Sequence, residues 1–155
     1  MKTRLEQGLS ALHLSSTPSG TLERYCSLLL EQNQMMNLTA ITDPDQVVDL
    51  HMLDSAALLT VDDFSGKKVI DVGTGAGFPG MVLKVLEPTI ELTLLDSLGK
   101  RIDFLQETAE ALKLENVSCI HARAEEQALV KGFRDSFDFA TARAVAELRL
   151  LVELC

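Results

Sequence analysis

The spacing of apolar residues along the chain changes period near residue 66. Upstream of that point the period is helical. Lys2 to Leu12 reads as a short helix and Ser15-Ser-Thr-Pro-Ser-Gly20 as a break. Thr21 to about Met36 is an amphipathic helix, with Leu22, Tyr25, Cys26, Leu29 and Leu30 inward and Glu23, Arg24 and Glu31 outward. Asp43-Pro44 has the form of an N-cap followed by proline at the first helical position, and Val47, Val48, Leu50, Leu53, Ala57 and Leu58 carry the next helix to about Leu59. A helical extension over residues 1–65 is predicted.

From Lys67 onward, short apolar runs alternate with helical patterns. Strands are predicted at 67–72, 90–96, 116–121 and 137–142, and helices at 79–87, 99–113, near 125–130 and at 145–155. That alternation predicts an α/β fold over 66–155, a parallel sheet with helices on both faces, forming one globular unit with the extension. Ligands of such sheets lie outside the carboxyl ends of the strands where the strand order switches. Gly73, Asp96, the Arg123-Ala124-Glu125 turn and Arg143 are therefore expected to converge.

The chemistry concentrates in Val69-Ile-Asp-Val-Gly73-Thr-Gly75-Ala-Gly77-Phe-Pro-Gly80, a buried-strand pattern that runs into four glycines and a helix start near Pro79. Glycines allow positive φ and remove Cβ atoms where a ligand approaches the backbone, and a helix start offers unpaired N–H groups to an anion. Asp71 decides the cofactor. A dinucleotide would set its pyrophosphate beside this acid, which repels it, and the Gly75-x-Gly77-x-x-Gly80 match is displaced from the strand end. A ligand with an amino group and a sulfonium suits the acid, and S-adenosylmethionine is the common ligand of that description, with its carboxylate facing the helix-start amides. About 20 residues on from the glycines, Ile90-Glu-Leu-Thr-Leu-Leu95-Asp96 is a second strand ending in an acid, placed to bridge two ribose hydroxyls. The alternative for Asp96 is the N-cap of the next helix.

Several segments together resemble one bacterial family. They are Asp71-Val-Gly-Thr-Gly-Ala-Gly-Phe-Pro-Gly80, Leu94-Leu-Asp-Ser-Leu-Gly-Lys-Arg101 followed by Phe104-Leu105, Asn37-Leu-Thr39, His51-Met-Leu-Asp54-Ser55 and Ala142-Arg-Ala144. The family is the small-subunit (16S) ribosomal RNA guanine-N7 methyltransferases, also called glucose-inhibited division protein B, and the likeness covers most of the chain. It implies a Rossmann-like S-adenosylmethionine-dependent methyltransferase sheet with an N-terminal helical extension. It also implies methyl transfer from S-adenosylmethionine to N7 of a guanine in 16S rRNA, with ribosomal RNA or the small ribosomal subunit as partner. To Gly73, Gly75 and Asp96 it adds Phe78, the Ala124-Glu125 adenosine-binding turn and Arg143 as cofactor-binding positions. His51 is expected in helix packing or capping. Members of the family continue through further strands, so the sheet is expected to be C-terminally incomplete here.

Charge alters this picture. A net charge of −9 suits RNA poorly, because phosphate contacts supply the nonspecific part of nucleic-acid affinity. Lys100, Arg101, Arg123 and Arg143 nevertheless fall at or just beyond strand ends on the ligand side, and Lys100, Arg101 and Arg123 are the expected RNA contacts. With 155 residues, 46% of them apolar, the chain can bury one sizeable core. No apolar run approaches the roughly 20 residues that span a bilayer, so no membrane partner is expected and the location is expected to be cytoplasmic. Cys26, Cys119 and Cys155 are scattered without Cys-x-x-Cys spacing, which predicts neither disulfides nor a metal site.

Guanine N7 has a free lone pair and attacks without first losing a proton, so no catalytic general base is expected. Three rival readings share parts of this sequence. A methyltransferase of a small molecule or protein would use the same cofactor residues, an NAD-dependent dehydrogenase is disfavoured by Asp71, and a noncatalytic cofactor-binding module remains the third.

Overall fold

The computed structural model describes residues 1–144, Val152 and Cys155. Apart from those last two positions, the helix expected at 145–155 lies outside the described residues. The extension comprises α1 (Lys2–Ala11), α2 (Ser19–Met36), α3 (Pro44–Val47), a π-helical stretch over Val48–Leu53, α4 (Asp54–Ala56) and a 3-10 turn over Ala57–Thr60. Local chemistry sets these bounds. Asn37 ends α2 in the left-handed conformation at φ 49°, which a short polar side chain tolerates. Asp43 caps α3 by accepting the Gln46 N–H at 2.9 Å, with Pro44 opening the helix. The single regular helix expected from 44 to 59 is instead wound wide over Val48–Leu53. Groups outside the backbone ladder hold that stretch: the Leu50 carbonyl accepts from Arg143, and the His51 carbonyl accepts the Ser55 hydroxyl.

The sheet region comprises β1 (Lys68–Val72), α5 (Gly80–Leu86), β2 (Glu91–Asp96), α6 (Gly99–Ala111), β3 (Val117–His121), α7 (Ala124–Gln127) and β4 (Phe139–Thr141). Strand order is β3-β2-β1-β4, and every pairing is parallel. Right-handed crossovers carry the chain from β1 to β2 to β3 in one direction, which sets α5 and α6 on the same face. The chain then returns past β1 to lay down β4, so strand order switches between β1 and β4.

Alternation along the strands divides the apolar residues between two faces. On one face Val69, Leu92 and Leu94 share a buried cluster with Met81 and Leu83 of α5, Leu105 of α6, and Leu5, Leu22, Tyr25 and Met52 of the extension. Extension and sheet are thus joined by one core, to which each fully buried Leu or Met contributes about 1.5–3 kcal/mol. On the other face Ile70, Val72 and Leu95 are covered by Ala124, Phe133 and Phe137 of the β3–β4 connection. Among the described residues, no helix is long and apolar enough to cross a membrane.

Candidate functional site

Beyond β1 the chain enters Gly73 (φ 63°), Gly75 (φ 59°) and Gly77 (φ 102°), left-handed values that favour glycine at all three positions. Packing adds a second constraint. A Cβ at Gly77 would lie 2.8 Å from Leu105 Cδ2 and from Met81 Cγ, and one at Gly80 would lie 2.9 Å from Asp71 Oδ2. At Gly75 nothing stands within 4 Å of that place. The loop therefore faces open space at Gly75 and presses on protein at Gly77 and Gly80. Tyr25 of α2 fixes it between them, its buried hydroxyl donating to the Ala76 carbonyl. Burial and the nearby Asp71 charge push the phenol well above its ordinary pKa, so it stays a donor.

Two expectations about this loop are corrected. Asp71 does not offer its charge to a ligand: it is fully buried, with Oδ2 accepting from the Thr74 hydroxyl at 2.6 Å and the Gly80 N–H at 2.9 Å, and Oδ1 accepting from the Thr141 hydroxyl at 3.1 Å. All three partners are neutral, and burial pushes the carboxyl up to about 6. Nor does the helix start hold free amides for an anion. The Gly80 N–H is taken by Asp71, the Met81 N–H by the Gly77 carbonyl at 2.8 Å, and those of Val82 and Leu83 by the Pro79 carbonyl at 3.1 and 3.2 Å.

Gly73, at the start of the loop, borders a cleft of about 170 Å³, lined by Val72, Gly73, Leu95, Asp96, Ser97 and the turn from Ala122 to Glu125. Gly73, Asp96, Arg123, Ala124 and Glu125 are therefore brought together. Asp96 is 3% exposed and already engaged. Oδ2 accepts the Gly75 N–H at 2.9 Å with Arg101 Nη1 3.6 Å away, and Oδ1 accepts the Leu98 N–H at 2.9 Å in a local turn that launches α6. A carboxylate has about four lone-pair sites, so acceptor capacity remains toward the cleft.

Phe78 and Arg143 are placed elsewhere. Phe78 is 4% exposed between Tyr25 and His51, with ring centroids 5.3 and 4.8 Å away, and Arg143 stands over its ring at 5.2 Å. Arg143 Nη1 donates to the Leu50 carbonyl at 3.1 Å and lies 3.5 Å from Asp54 Oδ2. Of the expected RNA contacts, Lys100 and Arg123 are exposed, whereas Arg101 is tied to Asp96. Sequence reasoning missed Thr74, Thr141 and the Tyr25 hydroxyl. Tyr25 did carry a signal, since a tyrosine in an apolar helical stripe must find a partner for its hydroxyl.

Over residues 19–155 the chain matches the family model described as rRNA small subunit methyltransferase G. The ribosomal RNA small subunit methyltransferase G of Caldanaerobacter subterraneus subsp. tengcongensis is 51% identical over 132 residues, covering 84% of this chain and 55% of the relative. Its counterpart in Alkaliphilus metalliredigens is 46% identical over 157 residues, covering 99% of this chain and 66% of the relative. The one in Alkaliphilus oremlandii is 46% identical over 158 residues, with 100% and 66% covered. The chain spans between 55% and 66% of the length of these three relatives. On the match across most of its length, this chain belongs to the rRNA small subunit methyltransferase G family.

Proposed function

We propose that the chain carries out methyl transfer from S-adenosylmethionine to N7 of a guanine in 16S ribosomal RNA, in the cytoplasm. The observation that carries this reading is the cleft at the carboxyl ends of β1, β2 and β3, where a glycine loop, a strand-end acid and the turn from Ala122 to Glu125 meet in a member of this family. Its residues fit a nucleoside. Val72, Leu95, Ala122 and Ala124 supply apolar walls and Asp96 supplies the acceptor for ribose hydroxyls, while beside the cleft Gly75, whose N–H binds Asp96, leaves its Cβ position open. At 170 Å³ the cleft is smaller than the roughly 300–1,000 Å³ of whole-ligand pockets, so it suits the base and sugar while the rest of the cofactor lies outside along the loop.

When bound, S-adenosylmethionine supplies a methyl group activated by a sulfonium. The chain's own residues bind and orient. Asp96, Gly73, Gly75, Ala124 and Glu125 hold the nucleoside end, while Phe78 and Arg143 brace the glycine loop from the extension side. Lys100 and Arg123, exposed near the cleft, attract RNA phosphates. Because N7 attacks through a lone pair, no side chain has to remove a proton. Catalysis then rests on in-line positioning, worth on the order of 7–11 kcal/mol.

Isotopically methyl-labelled S-adenosylmethionine incubated with this chain and small-subunit RNA tests substrate and atom together. The expected result is label mapped to guanine N7. RNA that stays unlabelled, or label on another atom, would overturn the reading.

A further inference from the structure

We infer that His51 is a positioning residue: from the helical extension it holds Arg143 over the glycine loop, accepting the guanidinium at Nδ1 as the neutral Nε2–H tautomer. The inference rests on the cofactor reading above for its functional consequence and on geometry alone for the contact.

A guanidinium has five donors, no acceptor and a permanent charge. Arg143 Nη2 lies 2.9 Å from His51 Nδ1, so Nδ1 is the acceptor and carries no proton. The proton is on Nε2, which stands 2.9 Å from Thr39 Oγ1. That oxygen also accepts the Ile41 N–H at 3.1 Å, and a hydroxyl has two acceptor sites, so both are filled by donors. Thr39 is itself clamped: its N–H donates to Asn33 Oδ1 at 2.8 Å and its carbonyl accepts Asn33 Nδ2 at 2.9 Å. One contact favours the opposite tautomer, the Leu50 carbonyl 3.2 Å from Nδ1. That carbonyl already accepts Arg143 Nη1 at 3.1 Å, and a proton on Nδ1 would face the cation. Burial and the Arg143 charge both hold the imidazole below its ordinary pKa, in keeping with a neutral ring.

The π-helical stretch Val48–Leu53 carries His51, and such turns recur at functional sites. The ring stacks on Phe78 at 4.8 Å and 26°. His51 therefore joins three parts distant in sequence: the Asn33–Thr39 loop, the glycine loop through Phe78, and the end of β4 through Arg143.

The test uses the whole chain. In ¹⁵N spectra of the ligand-free protein at neutral pH, the His51 signals, assigned against the His51→Asn variant, should show an unprotonated Nδ1 and a protonated Nε2. An Nδ1–H tautomer or an imidazolium would overturn the inference. A second arm compares two variants by titration with S-adenosylhomocysteine. Asparagine sets an amide oxygen near the Nδ1 position and keeps the acceptor for Arg143, whereas glutamine sets its amide nitrogen near Nε2 and keeps the bond to Thr39. His51→Gln should weaken binding about tenfold, as Arg143 and the loop it braces lose their fixed placement. His51→Asn should stay near the wild-type affinity although both variants lose thermal stability alike. Equal losses of affinity, or loss in His51→Asn alone, would overturn the positioning role. Wild-type protein that binds no S-adenosylhomocysteine would instead sink the cofactor reading, with the spectra still deciding the His51–Arg143 contact.

Discussion

Strands β1 and β2 lie side by side in the same direction, and each delivers a buried aspartate to the glycine loop, but the two carboxylates live in different surroundings. Asp71 is roofed by Thr74 and Gly80 of the loop and by Thr141 of β4, neutral donors all. Asp96 accepts two backbone amides, has Arg101 beside it, and borders the open cleft. Position in the sheet explains the difference. Both strands are flanked on both sides, but Asp71 lies one residue inside β1, paired with Leu94 of β2 and Thr141 of β4, whereas Asp96 is the last residue of β2, beside the turn from Ala122 to Glu125 that lines the cleft. Two acids near strand ends thus divide into one that organises the loop and one that also borders an open cleft.

The largest expected effect breaks the sealed side. Asp71→Ala leaves the Gly80 N–H and two hydroxyls without their acceptor, and at about 1–3 kcal/mol for each unsatisfied buried group the loss of folding stability should be on the order of 4 kcal/mol. Urea denaturation measures it. A variant with the wild-type midpoint would mean that Asp71 is not what holds the loop together.

The second effect comes from the same acid through pH. Its carboxyl is raised from 3.8 to about 6, so between those values the folded chain binds more protons than the unfolded one. Stability contributed by the protonated form is full below the unfolded value and falls as pH rises through the folded one. The expected decline is roughly 3 kcal/mol across that window, at 1.36 kcal/mol per pKa unit. Asp71→Asn should flatten this part of the profile, and a slope of the same size in that variant would assign it to another group.

These partners explain what was legible in the sequence. The change of apolar period gave β1, β2, β3 and α6 to within about two residues, because alternation and helical spacing are local properties. Strand-end acids and glycines were legible for the same reason. Their hydrogen bonds were not. Thr141 meets Asp71 across 70 positions and Arg143 meets His51 across 92, distances that no local pattern spans. Lys84 shows the same limit. A lysine in α5 reads as exposed, but its buried ammonium donates to the Pro88 carbonyl at 2.7 Å and also to that of Ile90.

The third effect tests the open side. Asp96→Ala should weaken S-adenosylmethionine binding by about 1.5–3 kcal/mol, the range for hydrogen bonds to a charged group. Its cost in stability should be smaller than that of Asp71→Ala, because Asp96 itself borders a cleft that water can enter. Calorimetric titration beside thermal melts separates the two quantities. If Asp96→Ala destabilises the fold as much as Asp71→Ala and leaves affinity unchanged, the division between the two acids fails.

The smallest effect concerns the cation that Asp96 has beside it and Asp71 lacks. Arg101 is about a third exposed and 3.6 Å from its partner, so screening by solvent keeps the pair to within about 1 kcal/mol. Its tie to Asp96 favours bracing the cleft, and the RNA contact expected of it is tested beside those of Lys100 and Arg123. Lys100 and Arg123 are exposed and free to meet phosphates. Arg101→Ala should therefore weaken cofactor binding slightly and leave the salt dependence of RNA binding as it was. Lys100→Ala and Arg123→Ala should do the reverse, each reducing the slope of log affinity against log salt by about 1 with cofactor affinity unchanged. Titrations of RNA and cofactor across a salt series for the three variants read both quantities. A salt slope that drops in Arg101→Ala as much as in the other two would move Arg101 to the RNA surface and leave Asp96 held by its two amides alone.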